Sequence, residues 1–86
     1  MFIVILESHG NPDFGQDANQ RMSPRRRISV FSLTEASQVT QRYIDEWNLG
    51  GGNFSFGQVW KGTKQIAKVS YNGRIWDMDG KEIAVN

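Results

Sequence analysis

Ile66-Ala67-Lys68-Val69-Ser70-Tyr71-Asn72-Gly73-Arg74-Ile75-Trp76-Asp77-Met78 is the stretch on which the fold turns. Asn-Gly between two alternating runs is the strongest short hairpin signal, because a type I′ turn needs positive φ at both central residues. A two-residue turn at Asn72-Gly73 predicts that Tyr71 faces Arg74, Ser70 faces Ile75, Val69 faces Trp76, Lys68 faces Asp77 and Ala67 faces Met78. Opposed residues share a face, and faces alternate along each strand. One face then carries Val69, Trp76, Ala67 and Met78. The other carries a Lys68–Asp77 ion pair and Ser70, with Ile66 and Ile75 as its apolar exceptions. A one-residue slip exchanges the faces, so this register decides what is core and what is surface.

Upstream, the spacing predicts one helix over Thr34 to Leu49. Ser32 or Thr34 can cap it, and Ser32-Leu33-Thr34-Glu35 has the capping-box spacing. Ala36, Val39, Tyr43, Ile44 and Trp47 fall on one apolar stripe, expected to pack on the Val69/Trp76 face of the hairpin. Gln38, Gln41, Arg42, Asp45 and Glu46 form the wet side, where Arg42 can pair with Asp45 or Glu46. Gly50-Gly51-Gly52 stops the helix, with Gly50 suited to the left-handed position past its end. Phosphate-binding glycine loops precede a helix, whereas these follow one, which excludes that reading.

Phe2 to Leu6 is apolar on both faces and reads as an interior strand. Arg25-Arg26-Arg27 leads into a second strand, Ile28 to Leu33. Phe54 to Lys61 is the third, with Gly57 a candidate bulge. Lys61-Gly62-Thr63-Lys64 turns the chain into the hairpin, Asp79-Gly80 makes a further turn, and Lys81 to Asn86 is a candidate sixth strand. The expected architecture is α+β: a single antiparallel sheet of five strands, or six with the tail, and one α-helix packed on one face, in the order ββαβββ.

The chain of 86 residues predicts one domain, 1–86. A domain of this size buries only about 60–65% of the surface its unfolded chain exposes. No cysteine is present, so no disulfide, thiolate nucleophile or thiolate-bound metal is expected, and a cytoplasmic location fits. Phe2 to Leu6 is the longest apolar run and is too short for a membrane span or a signal-peptide core, so the start reads as a strand of a mature, soluble protein. The net charge of +1 excludes an acidic DNA mimic. It also means that any attraction to nucleic acid must come from local clustering. His9 to Pro24 is polar and aperiodic, with Phe14 and Met22 its only large apolar residues. A loop of that length is either a flexible linker or a partner-contacting segment, and the placement of Phe14 discriminates between them.

Catalysis needs a nucleophile beside a base, paired carboxylates in a cleft, or a metal. His9 is the only histidine, and no serine sits in a strained elbow motif. A His9–serine pairing through tertiary contact stays open. Asp77 and Asp79 share a strand face, but Lys68 opposite Asp77 favours a plain ion pair. Metal binding through His9, Asp13 and Asp17 is hard to organise in such a loop. No catalytic residue, metal or cofactor is therefore expected. Binding is better supported. Arg21, Arg25, Arg26 and Arg27 put four of the ten basic residues within seven positions. They read as a patch for phosphates or an acidic partner, or as a solvated strand entrance that discourages edge pairing. Trp60, Lys61 and Lys64 form a second candidate group. With Lys68 the two groups would make a basic strip for nucleic acid, where Trp60 or Phe14 could stack on bases. Ile66 and Ile75, joined by Val59 on the outer hairpin face, would instead suit a small protein interface.

The order of elements resembles that of small anti-CRISPR proteins of phages and other mobile elements, in particular the type I-F inhibitors. The residues that carry the likeness are Ser32-Leu33-Thr34-Glu35-Ala36-Ser37, Gln58-Val59-Trp60, and Lys68 through Asp77. The resemblance implies a non-enzymatic inhibitor in the cytoplasm of a bacterial host. Such a protein binds a subunit of a CRISPR effector, often over the surface that should meet nucleic acid. The chain departs from that pattern in the His9–Pro24 segment and in the mixed charge of its helix, so no binding residue is carried over. The alternative expectation is a small nucleic-acid-binding module using the Arg21–Arg27 cluster. A membrane partner is not expected.

Overall fold

Strand β1 (Phe2–Leu6) lies between β2 (Arg26–Val30) and β3 (Gly57–Lys61), antiparallel to both. Its neighbours on either side explain why it is apolar throughout. The structure is a computed structural model and describes residues 1–12, 15–17, 19, 21 and 23–84. Helix α1 (Leu33–Glu46) follows β2, and β4 (Lys64–Val69), β5 (Ile75–Asp77) and β6 (Glu82–Ile83) complete one antiparallel sheet in the order β2-β1-β3-β4-β5-β6. The α+β order ββαβββ therefore holds, with the tail supplying the sixth strand. Phe14, Met22 and Asp13 lie outside the described residues, and with them the discrimination that Phe14 was to give.

The core lies between α1 and one face of the sheet. Val4, Leu6, Val30, Val59, Ala67, Val69 and Ile75 enter it from the strands, Ala36, Tyr43 and Ile44 from the helix, and Leu49 and Phe54 from the segment after it. Thr40 is also buried there, with its hydroxyl donating to the Ala36 carbonyl at 2.8 Å. Gly57 faces inward, and a Cβ in its place would stand 2.9 Å from Leu6 Cδ2 and 3.0 Å from Thr40 Oγ1. The missing side chain lets helix and sheet close on each other. Gly57 is thus the first residue of β3 and not a bulge. The bulge lies further on: Val59 pairs with Ala67 but Trp60 pairs with Gln65, leaving Ile66 extra on β4.

Ser32 is the N-cap: its hydroxyl accepts from the Glu35 amide at 3.1 Å, and Glu35 Oε1 accepts from the Phe31 amide at 2.7 Å. Ser32→Ala is expected to cost about 1 kcal/mol, read as a lower urea midpoint at unchanged slope. At the other end Asn48, not Gly50, takes the left-handed position, with φ of 50°. The Leu49 amide bonds the Ile44 carbonyl at 3.0 Å and the Asn48 amide bonds the Asp45 carbonyl at 3.3 Å. This is a Schellman ending with an asparagine at its turn, and it sends Leu49 into the core. Because the helix ends at Glu46, Trp47 is its C-cap and stays partly exposed instead of joining the core stripe. Glu46 pairs with Arg26 of β2 at 3.5 Å, in place of the expected contact with Arg42.

The hairpin register differs from the two-residue expectation by one. Val69 pairs with Ile75, Lys68 with Trp76 and Ala67 with Asp77. The Ser70 amide donates to the Arg74 carbonyl at 2.8 Å and the Gly73 amide to the Ser70 carbonyl at 2.9 Å, so the loop is Tyr71-Asn72-Gly73. Only Gly73, at φ of 88°, needs the left-handed region, whereas a type I′ turn would also force Asn72 there. Helix side chains hold this longer loop: Ser37 Oγ donates to the Gly73 carbonyl at 2.7 Å, and Gln41 Nε2 to the Tyr71 carbonyl at 2.8 Å. The faces exchange accordingly. Ile75 and Val59 are buried under α1, and Trp76 lies on the side away from the helix. Lys68 and Asp77 point to opposite faces, so their ion pair does not form.

The described parts of the 9–24 segment are tied to the turn after α1. His9 and Asn53 exchange two hydrogen bonds at 2.9 and 2.8 Å, and Asn53 Nδ2 also reaches Gln16 Oε1 at 2.9 Å. Closer to β2, the hydroxyls of Ser8, Ser23 and Tyr43 form a buried chain that continues to the Pro24 carbonyl. No described helix is long and apolar enough to cross a membrane.

Candidate functional site: the helix-free face of the sheet

With one helix on one side, the opposite side of the sheet has no described element packed on it. Register alone determines what it displays. One row crosses all six strands, Arg27, Ile5, Gln58, Lys68, Trp76 and Glu82, each opposite the next. Five spacings of about 4.8 Å make this row about 24 Å wide. A second row holds Ser29, Ile3, Trp60 and Gln65. Ile3, Ile5, Trp60 and Trp76 are half-buried, so strand neighbours cover their edges while part of each stays open to solvent. The Trp60 indole N–H donates to Gln58 Oε1 at 3.0 Å, which fixes the ring against the sheet. The result is an apolar centre with a charged and amide rim, the composition of a small protein interface.

Phe54 and Phe56 leave the chain on opposite sides just before β3: Phe54 is buried, Phe56 exposed. Phe56 lies under the Lys68 ammonium, 5.2 Å from ring centroid to Nζ. Ser55, Phe56, Lys68, Ser70, Trp76 and Gly80 line a cleft of about 240 Å³ at this end of the face.

The arginine cluster is less cationic than its sequence suggests. Arg25 Nε lies 3.3 Å from Glu7, and Arg26 is paired with Glu46. Both pairs are about half exposed, so each is worth at most about 1 kcal/mol, but each neutralises an arginine. Arg25, Arg26 and Arg27 line a depression of about 270 Å³ with Ile5. Arg27 lies on the open face, opposite Ile5, and Arg21 is exposed in the preceding segment. Lys61 and Lys64 pair with each other at the far end of β3 and β4, past the Trp60–Ile3 pair. Arg26 pairs with Leu6 at the other end of β1, about 14 Å away along the strand. The two candidate groups therefore stay apart, and no single basic strip joins them. Trp60 is the member of the second group that faces the apolar centre. The interface expected from Ile66, Ile75 and Val59 is replaced: the latter two are core, and Ile66 packs against the core's edge.

The structure also brings together a histidine–serine pair that chain order hid. His9 Nδ1 donates to the Gly10 carbonyl at 3.1 Å, which leaves the neutral ring's Nε2 to accept from the Ser55 hydroxyl, also at 3.1 Å. This has the sense of a base beside a hydroxyl, but the orienting group is a backbone carbonyl and the contact is exposed. Its evident effect is to hold Ser55, and so Phe56, beside the start of the 9–24 segment. Asp77 Oδ1 accepts from the Asp79 and Lys81 amides at 2.9 Å each, so this carboxylate shapes a turn. Among the described residues no three His, Asp or Glu are grouped as metal ligands. Comparisons with protein-family models, with curated proteins and with solved structures return no match.

Proposed function

We propose that this chain is a non-enzymatic protein-binding inhibitor whose contact surface is the helix-free face of the sheet, and that its target is a subunit of a CRISPR effector complex. The observation that carries the binding part is the partial exposure of Trp60 and Trp76 on one unpacked face, set among Ile3, Ile5, Arg27 and Lys68. Tryptophan and arginine dominate interface energetics, and a desolvated centre with a polar rim is where such residues contribute most. The target class comes from the resemblance in element order, now joined by a surface of mixed charge that suits a protein better than a polyanion. The test is capture of purified type I effector complexes by the tagged protein, followed by a target-DNA binding and cleavage assay. Trp60→Ala and Trp76→Ala are each expected to weaken capture by at least about 30-fold while the fold is kept. Absence of association with every subtype would end the inhibitor reading.

The depression shared by Arg25, Arg26, Arg27 and Ile5 supports a second reading, phosphate binding by a nucleic-acid module. Under it, replacing the three arginines by alanine flattens the salt dependence of affinity for generic DNA or RNA. A missing gel shift at low salt would remove it.

A further inference from the structure

The corrected register leaves Lys68 in an unusual position. Its strand partner is Trp76, its ammonium rests over the Phe56 ring, and no ion pair holds it among the described residues. Phe56 and Trp76 line the same cleft with Ser55 and Ser70, whose hydroxyl hydrogens are already engaged, that of Ser55 by His9 Nε2 and that of Ser70 by Asn72 Oδ1 and the Arg74 carbonyl. A cation resting on an aromatic ring in a partly apolar cleft is complementary to an anion that itself sits next to apolar groups. At about 240 Å³ the cleft admits one side chain. A nucleic-acid backbone fits these charges poorly: Arg27 is three strands away, about 14 Å, and Glu82 opposes Trp76 on the next strand. A phosphate chain laid along the row would meet two cations about 14 Å apart, then a carboxylate.

We propose that the Lys68–Phe56–Trp76 cleft is the anchor point for a single carboxylate side chain, an aspartate or glutamate flanked by apolar residues, on the partner protein. The assignment rests on the protein-binding reading above, and it specifies what the partner must present. The carboxylate enters over Ser55 and Ser70, takes one or two of the ammonium's donors, and sets its apolar neighbours against Trp76.

The probe is phenylacetate, a carboxylate beside an aromatic ring, titrated into ¹⁵N-labelled protein. Phenylacetamide serves as the neutral control and a ten-nucleotide oligothymidylate as the polyanion control. The expected result is a saturable shift of the Trp76 indole N–H and the Ser55 and Lys68 amides with phenylacetate, at least tenfold weaker with the amide. Lys68→Met keeps the apolar stem and removes the charge. It should reduce phenylacetate binding to the level of phenylacetamide while leaving the rest of the spectrum in place. Equal binding of acid and amide, or an unchanged Lys68→Met titration, would overturn the proposal. Tighter, salt-sensitive binding of oligothymidylate at Trp76 would overturn it too and assign the cleft to nucleic acid. The readout needs no effector complex, so failure to capture one leaves this result standing. Conversely, a cleft indifferent to carboxylates leaves the wider face available to a partner of other chemistry.

Discussion

Phe54→Ala is expected to lower stability by about 3–5 kcal/mol, a drop in melting temperature of at least about 12 °C for a domain of this size. Phe54 is 2% exposed and sits outside every strand and helix. Its ring meets Tyr43 at a centroid distance of 6.3 Å and a tilt of 53°. Removing it empties the space where the end of α1, the following turn and the start of β3 converge. A small domain has no second core to absorb such a void. Phe56, two residues on, is the internal control: it is 38% exposed, so Phe56→Ala should cost about 1 kcal/mol or less. The consequence reaches the helix-free face, because Phe54 anchors the segment that places Ser55 and Phe56 beside Lys68. Urea denaturation of both variants checks this, read as midpoints at constant slope. A larger loss from Phe56 than from Phe54 would reverse the assignment of sides at this segment.

The helix and its start were legible because cap and periodicity are local. Ser32, Glu35 and the Ala36–Tyr43–Ile44 stripe act within one or two turns, and α1 forms where they place it. Its end was less so. Asn48 and Gly50 both tolerate a left-handed turn, and burial of Leu49, a tertiary effect, selects the earlier one. The arginine run was legible as charge. Its partial neutralisation was not, since Glu7 and Glu46 reach it only through strand pairing and helix placement. Trp60 was recognisable as a contact candidate, and Lys68 as a member of a basic strip, whereas Trp76 was hidden by the face exchange. The alternation around Asn72-Gly73 is compatible with a two- or three-residue loop. What separates them is the pair of contacts from Ser37 and Gln41, thirty-six and thirty residues away in sequence. One hint was available: Val69 opposite Ile75 pairs two β-branched residues, a good match for a narrow space under a helix.

That choice of loop has a decisive consequence for two adjacent residues. Ile75→Ala should cost about 2–5 kcal/mol, because Ile75 is 1% exposed and lies between Val69 and Ile83 beneath the helix. Trp76→Ala, although it deletes far more side chain, should cost only about 1 kcal/mol, since the indole covers an open sheet face and its loss leaves no enclosed cavity. Gly73→Ala should add a separate penalty of about 1–2 kcal/mol, from a left-handed backbone and from a Cβ 3.3 Å from Ser37 Oγ. A two-residue turn inverts the first two: Trp76 would be core and its removal the most damaging change in the hairpin, while Ile75 would be dispensable. The order of the two midpoints therefore reports which face each side chain occupies, without reference to any binding partner. Were tryptophan the costlier loss, Lys68 would return to a position opposite Asp77, the cleft beside Phe56 would lose its cation, and both binding proposals would fall with it.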